Sequence, residues 1–166
     1  MTVIAKANLN LWLQQTKQAD LTTLQGNVLK DLTYSLIDGT GAGKADTLFH
    51  DTRTTSGNDD LDIVGGLTDA LGNTVSILKI KGLVVQAAAA NTTNVVIGGS
   101  ATNPVTSFMT GTTPAVLVRP GGMFALLAGV ADATAYAATA ATADILRISA
   151  ASGSVTYDVY IWGTSA

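Results

Sequence analysis

Apolar and polar residues alternate along much of this chain. In residues 74–99, TVSILKIKGLVVQAAAANTTNVVIGG, Leu78, Ile80 and Val84 fall on one side of a period-2 ribbon, with Lys79 and Lys81 on the other. This pattern predicts a long strand, a polar turn at 91–94 and a partner strand. Gly82 interrupts the alternation just before Leu83-Val84-Val85, which predicts a bulge or a close backbone approach. Near the N-terminus Leu9, Leu11 and Leu13 alternate with Asn8, Asn10 and Trp12, the pattern of an extended segment. From Leu21 onward the spacing changes. Leu24, Val28, Leu32 and Leu36 recur at near-helical intervals behind Asp20 as a candidate N-cap, predicting a short helix weakened by Gly26 and Thr22-Thr23.

Downstream, short strands are expected at 48–49, 61–64, 94–98, 105–109, 115–118, 123–128, 144–150 and 154–162. Turns are expected at 69–73, 99–104, 111–114 and in the Arg119-Pro120-Gly121-Gly122 stretch. The Ala/Thr tract 131–143 has no apolar stripe and reads as a surface loop or an irregular edge strand. Strands at a spacing of roughly ten residues predict an all-β sandwich or barrel. No internal repeat is visible.

Composition strengthens the all-β reading. All twelve acidic residues are Asp, and the absence of Glu starves helices while Thr suits a pleated surface. The chain is 47% hydrophobic and 13% charged, so part of its apolar surface should be covered by another protein, and assembly is expected. At 166 residues one domain with an appendage is expected. The Gly-rich stretch 38–44 divides an arm and hinge, 1–44, from a sandwich domain, 45–166.

A net charge of −3 with no basic face argues against duplex nucleic acid as a partner. The first thirty residues nevertheless carry +2 (three Lys against Asp20), leaving −5 on the remainder. The lack of Cys excludes a disulfide framework, thiolate metal sites and a thiol nucleophile. The apolar run 123–130 is far shorter than the roughly 20 residues of a membrane helix, and the N-terminus lacks signal-peptide features, so a soluble chain is expected.

Candidate chemistry is sparse. Residues 39–45, GTGAGKA, resemble a phosphate-cradling loop, but the glycine spacing is one residue short and Ala45 replaces the Mg-binding hydroxyl, which favours a flexible hinge. Asn58-Asp59-Asp60-Leu61-Asp62 could offer oxygens to Ca²⁺ but lacks the EF-hand pattern, and reads as a solvated acidic turn. His50 beside Asp51 formally allows a Ser/His/Asp relay, yet no nucleophile motif accompanies it. Asp132, Asp144 and Asp158 could pair across a cleft, though each falls at a turn or on a strand face. Tyr157, Tyr160 and Trp162 could stack a sugar or simply pack a strand. Trp12, flanked by Leu9, Leu11 and Leu13, is costly to leave wet and reads either as a partner anchor or as packing on its own body.

The stretches FHDTRTT, DLDIVGGLTDALGNTVSILKIKGLVVQAAAANTTNVVIGG, VLVRPGGMFALLA and ADILRISAASGSVTYDVYIWGTS, in this order, resemble a group of tailed-bacteriophage virion proteins encoded near head genes. The resemblance runs from about Tyr34 to the C-terminus. It implies similarity to capsid decoration (cement) proteins: a jelly-roll-like antiparallel β-sandwich, commonly a homotrimer, on the outer surface of the phage head with the major capsid protein as partner. It implies no enzymatic activity, no cofactor, no metal and no membrane partner. A tail-fibre or host-attachment module binding bacterial glycan is the alternative. Leu9, Leu11, Trp12 and Leu13 are the candidate partner-binding residues, read from the arm itself.

Overall fold

The computed structural model describes residues 2–99, 101–111 and 113–166; Ser100 of the expected 99–104 loop and Thr112 of the expected 111–114 turn lie outside them. Among the described residues there are fourteen strands and no helix. They are β1 (Ala5–Gln18), β2 (Thr23–Asp38), β3 (Lys44–Ala45), β4 (Thr47–Thr55), β5 (Asn58–Asp62), β6 (Val64–Thr68), β7 (Thr74–Ser76), β8 (Lys79–Ala87), β9 (Val95–Gly98), β10 (Ala115–Val118), β11 (Met123–Leu127), β12 (Tyr136–Ala137), β13 (Ile145–Ala150) and β14 (Val155–Thr164).

Two antiparallel sheets pack as a sandwich. One has the order β11-β8-β14-β4, with β12 added beside β8, and the other has the order β10-β9-β13-β5. Their inner faces make one core: Phe49, Leu83, Val85, Val159 and Ile161 from the first, Leu61, Val95, Ile97, Leu146 and Ile148 from the second. β6 and β7 form a small hairpin at the side, adding Val75 to this core, and the adjoining Ile63 and Ile77 join it.

Three sequence expectations are corrected. Residues 23–38 form strand β2 and not a helix, with Asp20 in a turn. β8 and β9 are not partners but lie in different sheets. The chain crosses between them over residues 88–94, where Asn91 Nδ2 donates to Thr156 O and Asn91 Oδ1 accepts Thr156 N, both at 2.8 Å. A side-chain amide thus replaces the strand pairing that a simple hairpin would have supplied. Residues 105–109 form no strand: Pro104, just before them, makes an isolated bridge to Ile145, Val105 N donates to Ile145 O at 2.9 Å, and a turn follows in which Met109 N donates to Thr106 O.

The irregularity foreseen at Gly82 is present in both senses. Trp162 faces Gly82 while Gly163 faces Ile80, so Lys81 is an extra residue in β8, a bulge. The bulge lets Ile80 and Leu83 both enter the core and turns Val84 to the outer face, away from the side that plain alternation gave it. Lys81, expected on a half-exposed face, has 0% exposure, with its Nζ donating to the backbone oxygen of Asp132. Burial lowers its pKa, opposed by the charge of Asp132 and reinforced by Lys79. On the outer face the Trp162 ring lies where a side chain at 82 would be, since a Cβ there would come within 2.0 Å of it. Gly82→Ala should therefore destabilise the fold by about 2–3 kcal/mol in urea unfolding, because ring and strand cannot both keep their places; unchanged stability would show that Trp162 can move aside freely.

Candidate partner-binding site

β1 and β2 pair antiparallel over their whole length, from Ala5 opposite Leu36 to Gln18 opposite Thr23. The turn at 19–22 is closed by Ala19 N donating to Thr22 O at 2.8 Å. At about 3.4 Å per residue, the ribbon extends roughly 30 Å beyond Leu9. Only its root touches the sandwich. There Val3, Tyr34, Leu36 and Ala45 surround Trp162 on the outer face of the first sheet, with Leu48 and Val84 packed alongside. The Tyr34 hydroxyl donates to Lys81 O at 2.9 Å, and its ring centroid is 6.3 Å from that of Trp162. The same carbonyl accepts Ala128 N at 2.9 Å, so the bulge residue supplies an acceptor that helps set the ribbon's direction.

The Gly-rich hinge is pinned rather than loose. Gly43 N donates to Val130 O at 2.6 Å, Ile37 N to Gly43 O at 3.0 Å, and Val3 N to Asp38 Oδ1 at 2.8 Å. Gly39, Gly41 and Gly43 all have positive φ, which explains the glycines without a phosphate.

Beyond the root the pairing sorts side chains by face. Leu9 opposite Leu32, Leu11 opposite Lys30, Leu13 opposite Val28 and Lys17 opposite Leu24 share the face that carries Ala5, Ala7, Tyr34 and Leu36 at the root, so two lysines lie within this otherwise apolar stripe. The other face is mostly polar, with Asn8, Asn10, Gln14 and Thr16, but the directly opposed pair Trp12 and Leu29 interrupts it. These apolar side chains are 41–64% exposed, and Leu21 in the turn is 96% exposed. The four candidate residues therefore lie together on one projecting ribbon, three on one face and Trp12 on the other. An isolated two-stranded hairpin is at best marginally stable in water, and this one projects from the body with its apolar side chains exposed.

The total area says the same. The chain exposes 9085 Å², whereas a compact monomer of 16.9 kDa exposes about 7,700 Å², an excess of roughly 1,400 Å². Between the ribbon and the first sheet lies an apolar groove of about 530 Å³, with Leu9, Leu32 and Tyr34 on one wall and Val84, Met123 and Leu127 on the other. The β11 wall was not anticipated from the sequence as a site. Its signal was the unbroken apolar run 123–128 on what proves to be an edge strand, where one face must be wet.

The remaining candidates resolve into structural roles. Asp59 lies on β5, where it accepts Arg53 Nε at 2.6 Å, Arg53 Nη2 at 2.9 Å and the Tyr157 hydroxyl at 2.7 Å. Asp60 accepts Arg147 Nε at 2.6 Å and Nη2 at 2.7 Å. The acidic run is thus strand β5 and not the solvated turn expected from the sequence: Asp59 and Asp60 face arginines, Asp62 accepts Val64 N at 3.0 Å, and no group of three or more metal-ligating side chains occurs among the described residues. His50 stacks on Tyr160 at 6.4 Å, while Asp51 pairs with Arg53 at 3.0 Å. Asp132 accepts Thr134 N and Ala135 N and Asp144 accepts Ala141 N, each within its own loop, while Asp158 on β14 accepts the hydroxyl of Thr52, its cross-strand partner on β4. Tyr157 lies in the core and Trp162 under the ribbon root, leaving Tyr160 alone exposed; the three do not share a sugar-binding groove. No described helix is long and apolar enough to cross a membrane.

Burial alone would raise the Asp59 pKa, but the bonds from Arg53 and Tyr157 and the Arg53 charge outweigh it, and the net shift is downward. Burial and then Asp59 hold the Tyr157 hydroxyl protonated. A carboxylate with a lowered folded-state pKa contributes stability above its unfolded value, which is lost as pH falls through the folded one. The stability difference between the native chain and Asp59→Asn should accordingly narrow as pH drops below about 4, measured by urea titration at each pH; a difference independent of pH would contradict it.

Comparison with known proteins adds no relative: no family model, curated protein or solved structure matches the chain.

Proposed function

We propose that the protein is a non-enzymatic structural subunit of a phage virion, a decoration protein that binds the outer surface of the icosahedral head and stabilises the shell by bridging capsomers. The observation that carries the reading is the apolar ribbon displayed outside a finished sandwich. Its exposed Leu, Val and Trp side chains have no role in the fold's own core but suit an element that orders against neighbouring subunits. The strand order supports it further. Taking β4, β5, β8, β9, β10, β11, β13 and β14 as eight successive strands, the first, eighth, third and sixth share one sheet and the second, seventh, fourth and fifth the other, an order that supports a jelly-roll-like winding. Many symmetric copies would hold a shell by multivalent contact even where each contact is weak. The alternative, a glycan-binding attachment module, loses support from the burial of Tyr157 in the core and of Trp162 under the ribbon root, which leaves Tyr160 as the one exposed ring of the three.

Purified protein added to heads that lack it should coat them. The triple variant Leu9→Ser, Leu11→Ser, Leu13→Ser should bind about a hundredfold more weakly, as expected from roughly 1 kcal/mol for each half-exposed leucine that becomes buried. Its thermal midpoint, compared at a concentration where both chains are monomeric, should stay close to that of the native chain, because none of the three belongs to a core cluster. Density confined to the tail, or undiminished coating by the variant, would contradict the proposal.

A further inference from the structure

The groove beside the ribbon has two apolar walls, and that limits what can fill it. An ordinary amphipathic strand or hairpin would satisfy one wall and press polar side chains against the other. The occupant must be an extended element that is apolar on both faces over a short length. The chain displays such an element at the middle of its own hairpin, where Leu11, Leu13 and Val28 lie on one face and Trp12 and Leu29 on the other; the one charged side chain among them, Lys30 opposite Leu11, has an aliphatic stem that can lie along apolar surface. That segment cannot reach its own groove, because Leu9 and Leu32, just below it in the same ribbon, form the groove's wall.

We infer that the middle of the hairpin, residues 11–13 and 28–29, seats in the groove of a second copy of this chain, between that copy's hairpin root and the β8–β11 edge of its first sheet. Three features agree on this occupant. The groove continues the contact that each chain already makes between its ribbon root and the outer sheet face, so the second copy extends existing packing. A volume of about 530 Å³ falls within the range of apolar pockets that bury a sizeable group such as an indole with aliphatic neighbours. The excess surface of roughly 1,400 Å² per chain also exceeds the roughly 800 Å² that each partner of a standard stable interface buries. Exchange would bury the groove and the hairpin middle together and leave the tip, with Leu21, free beyond the contact. The inference concerns association between copies and does not depend on the head-binding reading.

The chain has no cysteine, so single introduced thiols report the contact cleanly. Full-length chain carrying only Trp12→Cys is mixed with chain carrying only Met123→Cys, oxidised under mild conditions, and examined for a mixed covalent dimer. The mixed dimer should form in preference to either self-pair. Light scattering should find native chain as an oligomer at micromolar concentration, and Ala125→Trp, which fills the groove from the exposed face of β11, should shift it to monomer. Replacing residues 11–30 by an Asn-Gly turn joins Asn10 to Asp31, which already face each other, and should give the same shift while keeping the root. A native chain that stays monomeric, or a mixed pair that does not cross-link, would overturn the inference. A monomer that coats heads would overturn it while leaving the proposed function standing, and an oligomer that ignores heads would do the reverse.

Discussion

Gly82 and Trp162 share a single space on the outer face of the first sheet, and the position of the hairpin depends on that sharing. The bulge at Lys81 realigns β8 so that Gly82 lies beneath the indole and the Lys81 carbonyl is available to the Tyr34 hydroxyl. Tyr34 then lies against Trp162, Leu36 and Val3 join it, and the ribbon leaves the sandwich from that cluster. An ordinary residue at 82 would remove the seat for the ring, and with it the surface on which the root rests. The anchor lies outside the main core, so a rigid sandwich and a projecting ribbon coexist in one small chain.

The two parts follow different physical rules. The sandwich buries one apolar core between two sheets, which are joined by crossing loops such as the one pinned by Asn91. The ribbon buries only its root. Its distal half exposes aliphatic and aromatic side chains on a two-stranded sheet, an arrangement unfavourable in water and favourable against another molecule.

Much of this was legible in the sequence where local patterns decide structure. The turns at 69–73 and 119–122, the strands β10, β11, β13 and β14, and the irregularity at Gly82 all follow from alternation and from turn residues. The error at 23–38 has a simple cause. Leu24, Val28, Leu32 and Leu36 are four apart, and four is both close to a helical turn and twice the strand period, so the spacing cannot decide between them. Tyr34 at an even position on the same face, and the Thr and Gly content, favoured the strand. The exposed Leu9, Leu11, Trp12 and Leu13 were identified from their alternation, but the groove was not, because it forms only when the ribbon root meets β8 and β11, which are distant in sequence. Pairing between β8 and β9 was misread because a polar turn between two β-rich runs resembles a hairpin whether the chain returns or crosses to the facing sheet.

The account rests on the distal ribbon being wet when the chain is alone and covered when it is assembled. Hydroxyl-radical footprinting of Leu9, Leu11, Trp12 and Leu13, comparing free chain diluted below the concentration at which copies associate with chain on assembled heads, measures this directly. The account predicts heavy labelling of all four in the free chain and strong protection on the particle, with Tyr160 on the sandwich as an internal reference. Equal labelling in the two states would contradict it.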